Sequence, residues 1–300
     1  MEKQRNKKGS LPIGVRIIGI IIAVLAAAYG LYAGMGNSTG NFDGEMQIFA
    51  LDVGQGDSFF IISPNGKTML IDSGESSNSK QIEQFIREKG VRQLDVVIGS
   101  HTHSDHVGSM PYLLDAFDVG KYVMSEAGLE TRIQKRINAV LEEKDIPCSY
   151  VWAGDVIDWD SDCKVTVLSP VPEFDEYSKT DWNEWSLIIR AEYANHSMIF
   201  TGDATVRSEQ AAMLNNEKYL FDADVLKVPH HGSTTSSSLG FLEAVSPEYA
   251  IISVGKGNSY GHPDYDTIQK LKQVNAEIYR TDELGTINIV FSANEIKITY

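Results

Sequence analysis

Four side chains of metal-binding type fall within six residues, as His101, His103, Asp105 and His106 in the run Ser100-His101-Thr102-His103-Ser104-Asp105-His106. The chain has seven histidines, and three of them sit here. A polar surface loop rich in His by chance is a poor account of that density. The run directly follows Leu94–Ile98, a continuous apolar stretch of the kind found in strands buried on both faces. On an extended segment His101 and His103, two residues apart, point the same way. Asp105 and His106 lie where the chain bends into Val107-Gly108, and there face a second position. Buried without partners, these groups would be costly. Converging on cations, imidazoles and a carboxylate suit zinc and similar transition metals.

Further candidates follow other apolar stretches. In Phe200-Thr201-Gly202-Asp203 a strand ends at a glycine and a carboxylate, which either bridges two cations or makes an ordinary turn. In Lys227-Val228-Pro229-His230-His231-Gly232-Ser233 the adjacent His side chains diverge, so one of the two is expected to bind metal. His262, in Tyr260-Gly261-His262-Pro263, either serves the substrate's leaving group or packs as a turn residue beside Pro263. His196 lies at the far end of the strand leading to Asp203, roughly 20 Å away at about 3.3 Å per residue, and reads as a turn residue.

The elements that position these residues form two halves of similar rhythm. Met46–Val53, Ser58–Ile62 and Thr68–Ile71 read as strands, with a hairpin signal at Asn65-Gly66. Helical periodicity covers Lys80–Lys89 and the stretch from about Leu129 to Lys144, and Ser149–Leu168 is strand-rich. In the second half, Ser186–Glu192, Ser197–Thr201, Ala223–Val228, Tyr249–Val254, Glu277–Tyr279 and Thr286–Phe291 read as strands with helices between some of them. The alternation predicts an α/β domain of two mixed sheets packed together, with helices outside.

Before this domain the pattern changes. Lys3, Arg5, Lys7, Lys8 and Arg16 precede an uncharged, largely apolar run of 19 residues, Ile17 to Met35. That run approaches the roughly 20 residues a helix needs to cross a bilayer. Residues 1–16 are thus expected to form a basic cytoplasmic tail and 17–35 a single transmembrane anchor, or a signal cleaved near Ala26–Ala28 with secretion of the rest. Residues 36–44 read as a polar, glycine-rich linker, and 45–300 as one domain outside the cytoplasm. Residues 1–36 hold five of the 26 basic and one of the 41 acidic residues, which leaves 21 against 40 and a net −19 beyond them. Such a surface repels polyanions at long range, which disfavours general nucleic-acid binding without excluding a phosphate at a metal centre. Cys148 and Cys163 either pair as a disulfide or stand as separate small residues. No Cys-x-x-Cys spacing exists for a thiolate zinc site.

The motifs together resemble the metallo-β-lactamase superfamily, whose His-x-His-x-Asp-His signature is complete at His101, His103, Asp105 and His106. More narrowly, the chain resembles the metallo-β-lactamase-like domain of ComEC-type competence proteins. Leu51–Ser58 (LDVGQGDS), Ser100–Ser109, Asn183–Ser186, Phe200–Asp203, Leu226–Ser233 and Tyr260–Pro263 carry the likeness across the whole domain. The resemblance implies an αββα sandwich and two divalent metal ions, zinc or manganese. It assigns His101, His103 and Asp203 to one ion, and Asp105, His106, Asp203 and His230 to the other. Asp72, ending Leu70-Ile71-Asp72, is expected to support the metal loop, and Asp52 and Asp57 likewise. Asp105, His231 and His262 are expected to act in catalysis or proton transfer, and Ser233, His262 and Asn183 to contact substrate. Superfamily members often carry another His between the cluster and the bridging Asp, and residues 107–195 contain none. Asn183 or Asp181 is expected in that space. Competence channels also carry many transmembrane helices, whereas this chain has one candidate.

The resulting expectation is a metal-dependent hydrolase. A phosphodiester of nucleic acid or of a cell-envelope polymer is the favoured substrate. An ester, lactone or β-lactam is the enzymatic alternative, and a non-catalytic accessory of DNA uptake the third reading. Substrate inference from such a fold is analogy.

Overall fold

A computed structural model describes residues 44–172 and 180–300. The expected tail and anchor at 1–35, and all but the last residue of the linker, lie outside the described residues. Among the described residues no helix is long and apolar enough to cross a membrane.

The first half supplies strands β1 (Met46–Ala50), β2 (Phe59–Ile62), β3 (Thr68–Ile71), β4 (Gln93–Leu94), β5 (Val96–Gly99), β6 (Asp118–Val119), β7 (Tyr122–Met124) and β8 (Cys148–Tyr150). The second supplies β9 (Cys163–Ser169), β10 (Ile188–Tyr193), β11 (His196–Phe200), β12 (Val225–Lys227), β13 (Tyr249–Ile252), β14 (Glu277–Arg280), β15 (Ile287–Phe291) and β16 (Ile296–Thr299). One sheet runs β16-β15-β1-β2-β3-β5-β7-β8 and the other β14-β13-β12-β11-β10-β9. Both are mixed: β3, β5, β7 and β8 are parallel, as are β11 through β14, while the hairpin strands run antiparallel.

The inner faces of the sheets meet over Ile48, Phe59, Ile61 and Ile98 from the first and Val167, Met198, Phe200 and Val225 from the second. Phe59 and Phe200 pack edge to face, ring centroids 5.2 Å apart. The outer face of the first sheet is covered by α1 (Ser79–Glu88), and then, after the short α2 (Ser104–Val107), by α3 (Met110–Ala116) and α4 (Arg132–Glu143). Ile82 and Ile86 of α1 share one helical face and bury against Phe60 and Leu70. The second sheet is covered by α5 (Val206–Asn215), α6 (Leu239–Val245) and α7 (Tyr265–Gln273), through Ala212, Phe241, Leu242 and Leu271. The layers are therefore helix, sheet, sheet, helix, as the sequence predicts.

One predicted strand divides. Leu94–Ile98 reads as continuous, but Gln93–Leu94 pairs with β6 in a separate two-stranded ladder. Asp95 causes the break, because its carboxylate accepts from Thr68 N at 2.9 Å and Lys67 Nζ at 2.9 Å. Cys148 and Cys163 are both free.

Phe200 is buried between the sheets one turn before Asp203. Phe200→Ala is expected to lower the unfolding free energy by about 3–5 kcal/mol, read from urea denaturation of the purified chain. A loss below about 1 kcal/mol would show that the inter-sheet contact is not what holds the halves together.

Candidate metal centre

The ligand-type residues converge where β3, β5, β11 and β12 end. His101 and His103 follow β5, His103 in extended backbone, and His103 Nδ1 lies 3.0 Å from His101 Nε2. Asp105 and His106 sit in α2, which turns them to the opposite side. Asp203 follows β11 after Gly202, whose positive φ brings the chain close to Ser100. A Cβ on Gly202 would stand 2.7 Å from Ser100 Oγ, so only glycine permits this approach.

Asp203 has one oxygen on each side. Its Oδ1 lies 3.0 Å from His106 Nε2 and 3.4 Å from His231 Nε2, and its Oδ2 lies 3.9 Å from His101 Nε2. Asp105, His106, Asp203 and His231 form one group able to hold a cation, and His101, His103 and Asp203 form another. Three buried atoms aimed into the first group, His106 Nε2, Asp203 Oδ1 and His231 Nε2, have no partner outside it and meet one another without well-aligned hydrogen bonds. Buried polar atoms without partners are costly, and a divalent cation at this point would satisfy all three. The donor set thus fits imidazole-and-carboxylate metal binding.

The surrounding residues fix the tautomers. His106 Nδ1 donates to Asp72 Oδ2 at 2.7 Å, and Asp72 also accepts from Ser100 N and Ser100 Oγ. His231 Nδ1 donates to the Ser253 carbonyl at 2.8 Å. With the rings neutral, as metal binding requires, each arrangement would leave the Nε2 lone pair facing Asp203. The charges are tightly coupled. Burial alone would raise the Asp57 carboxyl, but Lys227, His106 and His231 outweigh it and hold it below its usual value. Asp203 is also held low against burial, by His106, His231 and His230. Burial opposes protonation of His106 and His231, yet the facing carboxylates raise both, His231 to about 9. Burial and His106 push His101 well down. A cation at His106 or His231 therefore competes with a proton.

Several expectations change in place. The sequence reading puts His230 with Asp105, His106 and Asp203, and His231 outside. The structure does the reverse, because consecutive positive φ angles at His230 and His231 turn the chain so that His231 points inward. His230 Nε2 instead lies 3.6 Å from Asp203 Oδ2, and its Nδ1 meets Thr235 Oγ1 at 2.9 Å. Ser233, expected at the substrate, is buried with its hydroxyl against Thr235, and does not line the cavity. Asp52, expected to support the metal loop, accepts from Gly54 N and makes its contacts outside the cluster. Asp57 does reach it, 3.7 Å from His106 Nδ1 and 3.5 Å from His231 Nδ1. Asn183 reaches His230 Nε2 at 3.5 Å, while Asp181 accepts from Asn183 N. Asn183, Asp203, His230, His231 and His262 line a cavity of about 310 Å³, together with Gln55, His103, Ser104, Asp105 and Tyr260.

Two features escape the sequence reading. Lys227, 1% exposed, places Nζ 2.6 Å from Asp57 Oδ2 and donates to the Gly202 carbonyl at 2.8 Å. It thereby ties the loop after β1 to the turn that carries Asp203. A lysine inside the apolar run Val225–Val228 was the available signal. The other is Gly56, where a Cβ would stand 2.2 Å from the Asp105 carbonyl. The Leu51–Ser58 motif is thus a backbone surface against which the metal loop rests, with Asp57 N donating to that same carbonyl.

The family model of the metallo-beta-lactamase superfamily matches residues 51–256. The chain is 34% identical over 260 residues to ComE operon protein 3 of Bacillus subtilis (strain 168), covering 81% of this chain and 33% of that protein. To Recombination protein 2 of Haemophilus influenzae it is 28% identical over 257 residues, covering 84% and 30%. The chain therefore spans about a third of the length of these relatives. Among solved structures, a metallo hydrolase from Ignicoccus hospitalis superposes with a TM-score of 0.54 at 14% identity, covering 82% of this chain and 100% of that one. A diiron beta-hydroxylase from Streptomyces venezuelae gives 0.51 at 12%, covering 78% and 52%. At such identities the likeness concerns the fold alone.

Removing Lys227 takes from buried Asp57 its nearest cation and leaves only the more distant His106 and His231 rings beside it. Lys227→Met is expected to cost about 3–5 kcal/mol of stability and to weaken metal retention during dialysis, measured by urea denaturation and elemental analysis. Wild-type values for both would remove Lys227 from this role.

Proposed function

Because the chain belongs to the metallo-β-lactamase superfamily, we propose that it is a metal-dependent phosphodiesterase whose catalytic domain is held outside the cytoplasm by an N-terminal anchor. The observation that carries the metal reading is the set of buried, unpartnered His106 Nε2, Asp203 Oδ1 and His231 Nε2 atoms facing one point. Asp105, His106, Asp203 Oδ1 and His231 would hold one ion, zinc or manganese. His101, His103 and Asp203 Oδ2 would hold a second. The open side of this second group faces His230 and Asn183, in the space where other superfamily members carry a further histidine. A pair of cations held by these residues would supply an acidified water and offset charge developing on substrate oxygens.

The chain's own residues do the rest. Asp72 and the Ser253 carbonyl orient the imidazoles through their Nδ1 protons. Asn183 and His262 line the cavity where substrate oxygens would lie. His262 Nδ1 stands 3.3 Å from Asp264 Oδ2, which orients the ring at the cavity where a departing oxygen would lie. The preference for phosphorus over a carboxylic ester rests on two facing cation positions and on the competence-protein relatives. The net −19 charge beyond residue 36 opposes long polyanions. A role in DNA uptake, suggested by relatives such as Competence protein ComA of Neisseria gonorrhoeae, would then fall to short or terminal segments.

The purified chain loaded with manganese or zinc is expected to hydrolyse bis(p-nitrophenyl) phosphate. His231→Ala should lose metal and activity, whereas His230→Ala should retain the ion bound by Asp105, His106 and Asp203. Turnover of lactones or β-lactams without diester cleavage would move the assignment to the other class, and full activity in a metal-free preparation would end it.

The anchor rests on the basic residues before the uncharged run Ile17 to Met35. Protease added to intact cells is expected to digest the domain. Protection until lysis would place it inside.

A further inference from the structure

Tyr260 is an aromatic side chain at the mouth of the metal cavity, and it is 68% exposed. Its backbone is held firmly. Asn258 Oδ1 accepts from both Tyr260 N and His262 N at 3.1 Å, and Asn258 Nδ2 donates to the His262 carbonyl and, at 3.0 Å, to that of Gly255. The loop is also docked on the metal-bearing turn, where Asp264 N donates to the Gly232 carbonyl and Thr234 N to Asp264 Oδ2. Tyr260 is thus presented by a braced loop, with its apolar ring left in water.

The ring has one aromatic neighbour among the described residues. It lies nearly parallel to His262, at 14° with centroids 5.8 Å apart, and His262 is in turn 5.9 Å from His230. A row of rings therefore leads from the rim to Asp203, with the outermost the most exposed. A quaternary ammonium group is held by rings that enclose it. Here His262 stacks with Tyr260 and leaves the exposed Tyr260 ring a free flat face, which matches a planar ligand. The cavity volume of about 310 Å³ suits one small residue of a polymer rather than a long segment.

We infer that Tyr260 is a stacking platform for a nucleobase of the substrate. This deepens the diesterase reading and takes the scissile phosphate from it. Stacking needs a base with a free face, so the ligand is an unpaired nucleotide, at a strand end or in a short single strand. Inside a duplex both faces of a base are already covered by its neighbours. The subsite also reconciles a nucleotide ligand with the acidic surface, because stacking acts at contact and adds no requirement for basic residues.

The test uses the full chain loaded with manganese and two substrates of equal charge. One is a thymidine dinucleotide, and the other has the same backbone without its bases. The wild type is expected to favour the base-bearing compound through KM. Tyr260→Ala should reduce that preference about tenfold, and Tyr260→Phe, which keeps the ring, by less than about twofold. Calorimetric binding of the two compounds gives a readout independent of turnover and should show the same pattern. An equal preference in wild type and Tyr260→Ala, by kinetics and by binding, overturns the platform. Preference for glycerophosphocholine over the dinucleotide overturns it too. If no diester is cleaved but base-dependent binding still requires Tyr260, the diesterase reading fails and the platform stands.

Discussion

Buried charge between the two sheets is the constraint that organises this protein. Asp57, Asp72, Asp203, His101, His106, His231 and Lys227 are all at most 2% exposed, and they lie within a few ångströms of one another. An isolated ion in such a place costs several kcal/mol, so each group must be answered by another. Lys227 answers Asp57, Asp72 answers His106, and the Ser253 carbonyl answers one side of His231. What remains unanswered is the set of atoms that point toward a common centre. Within the chain they face only one another, His106 Nε2 3.0 Å from Asp203 Oδ1, so the positive charge that holds them together is either a proton on the imidazoles or a cation in its place.

This arrangement needs both sheets at once. β5 brings His101 and His103, β3 ends at Asp72, β11 leads to Asp203 and β12 to the paired histidines. Close backbone approach at Gly56 and Gly202 lets loops from different sheets touch without intervening side chains. The inner core, with Phe59 against Phe200, holds the strand ends level. Stability and chemistry are therefore linked through the same contacts. The ion pair of Lys227 spans the gap between a loop of one sheet and a strand of the other.

Outside the site the acidic surface sets what can approach, while inside it short-range contacts set what can stay. At physiological ionic strength the long-range repulsion fades over about 8 Å. Inside that distance the residues that line the cavity, Asn183, Tyr260 and His262 among them, are what a ligand would meet. Net charge and cavity chemistry thus act over different distances and constrain a ligand separately.

The alternation of strands and helices, the two-sheet architecture and the density of ligand residues were legible in the sequence, because periodicity and spacing are local. His101 with His103, and Asp105 with His106, follow from geometry over two or three residues. Where the outcome depended on backbone that local pattern does not reveal, the reading went astray. Two consecutive positive φ angles decided that His231 rather than His230 faces Asp105, and no spacing rule encodes them. Asp95 broke an apolar run that looked continuous, through bonds to a neighbouring strand. Asp52 and Asp57 look alike in the sequence, five residues apart, but only Asp57 meets Lys227. The sequence determined which chemical groups the protein owns and roughly where along the chain they gather. Tertiary packing alone decided which of them share a charge environment, because electrostatic partnership depends on distance through space across two sheets, and the chain's order does not report it.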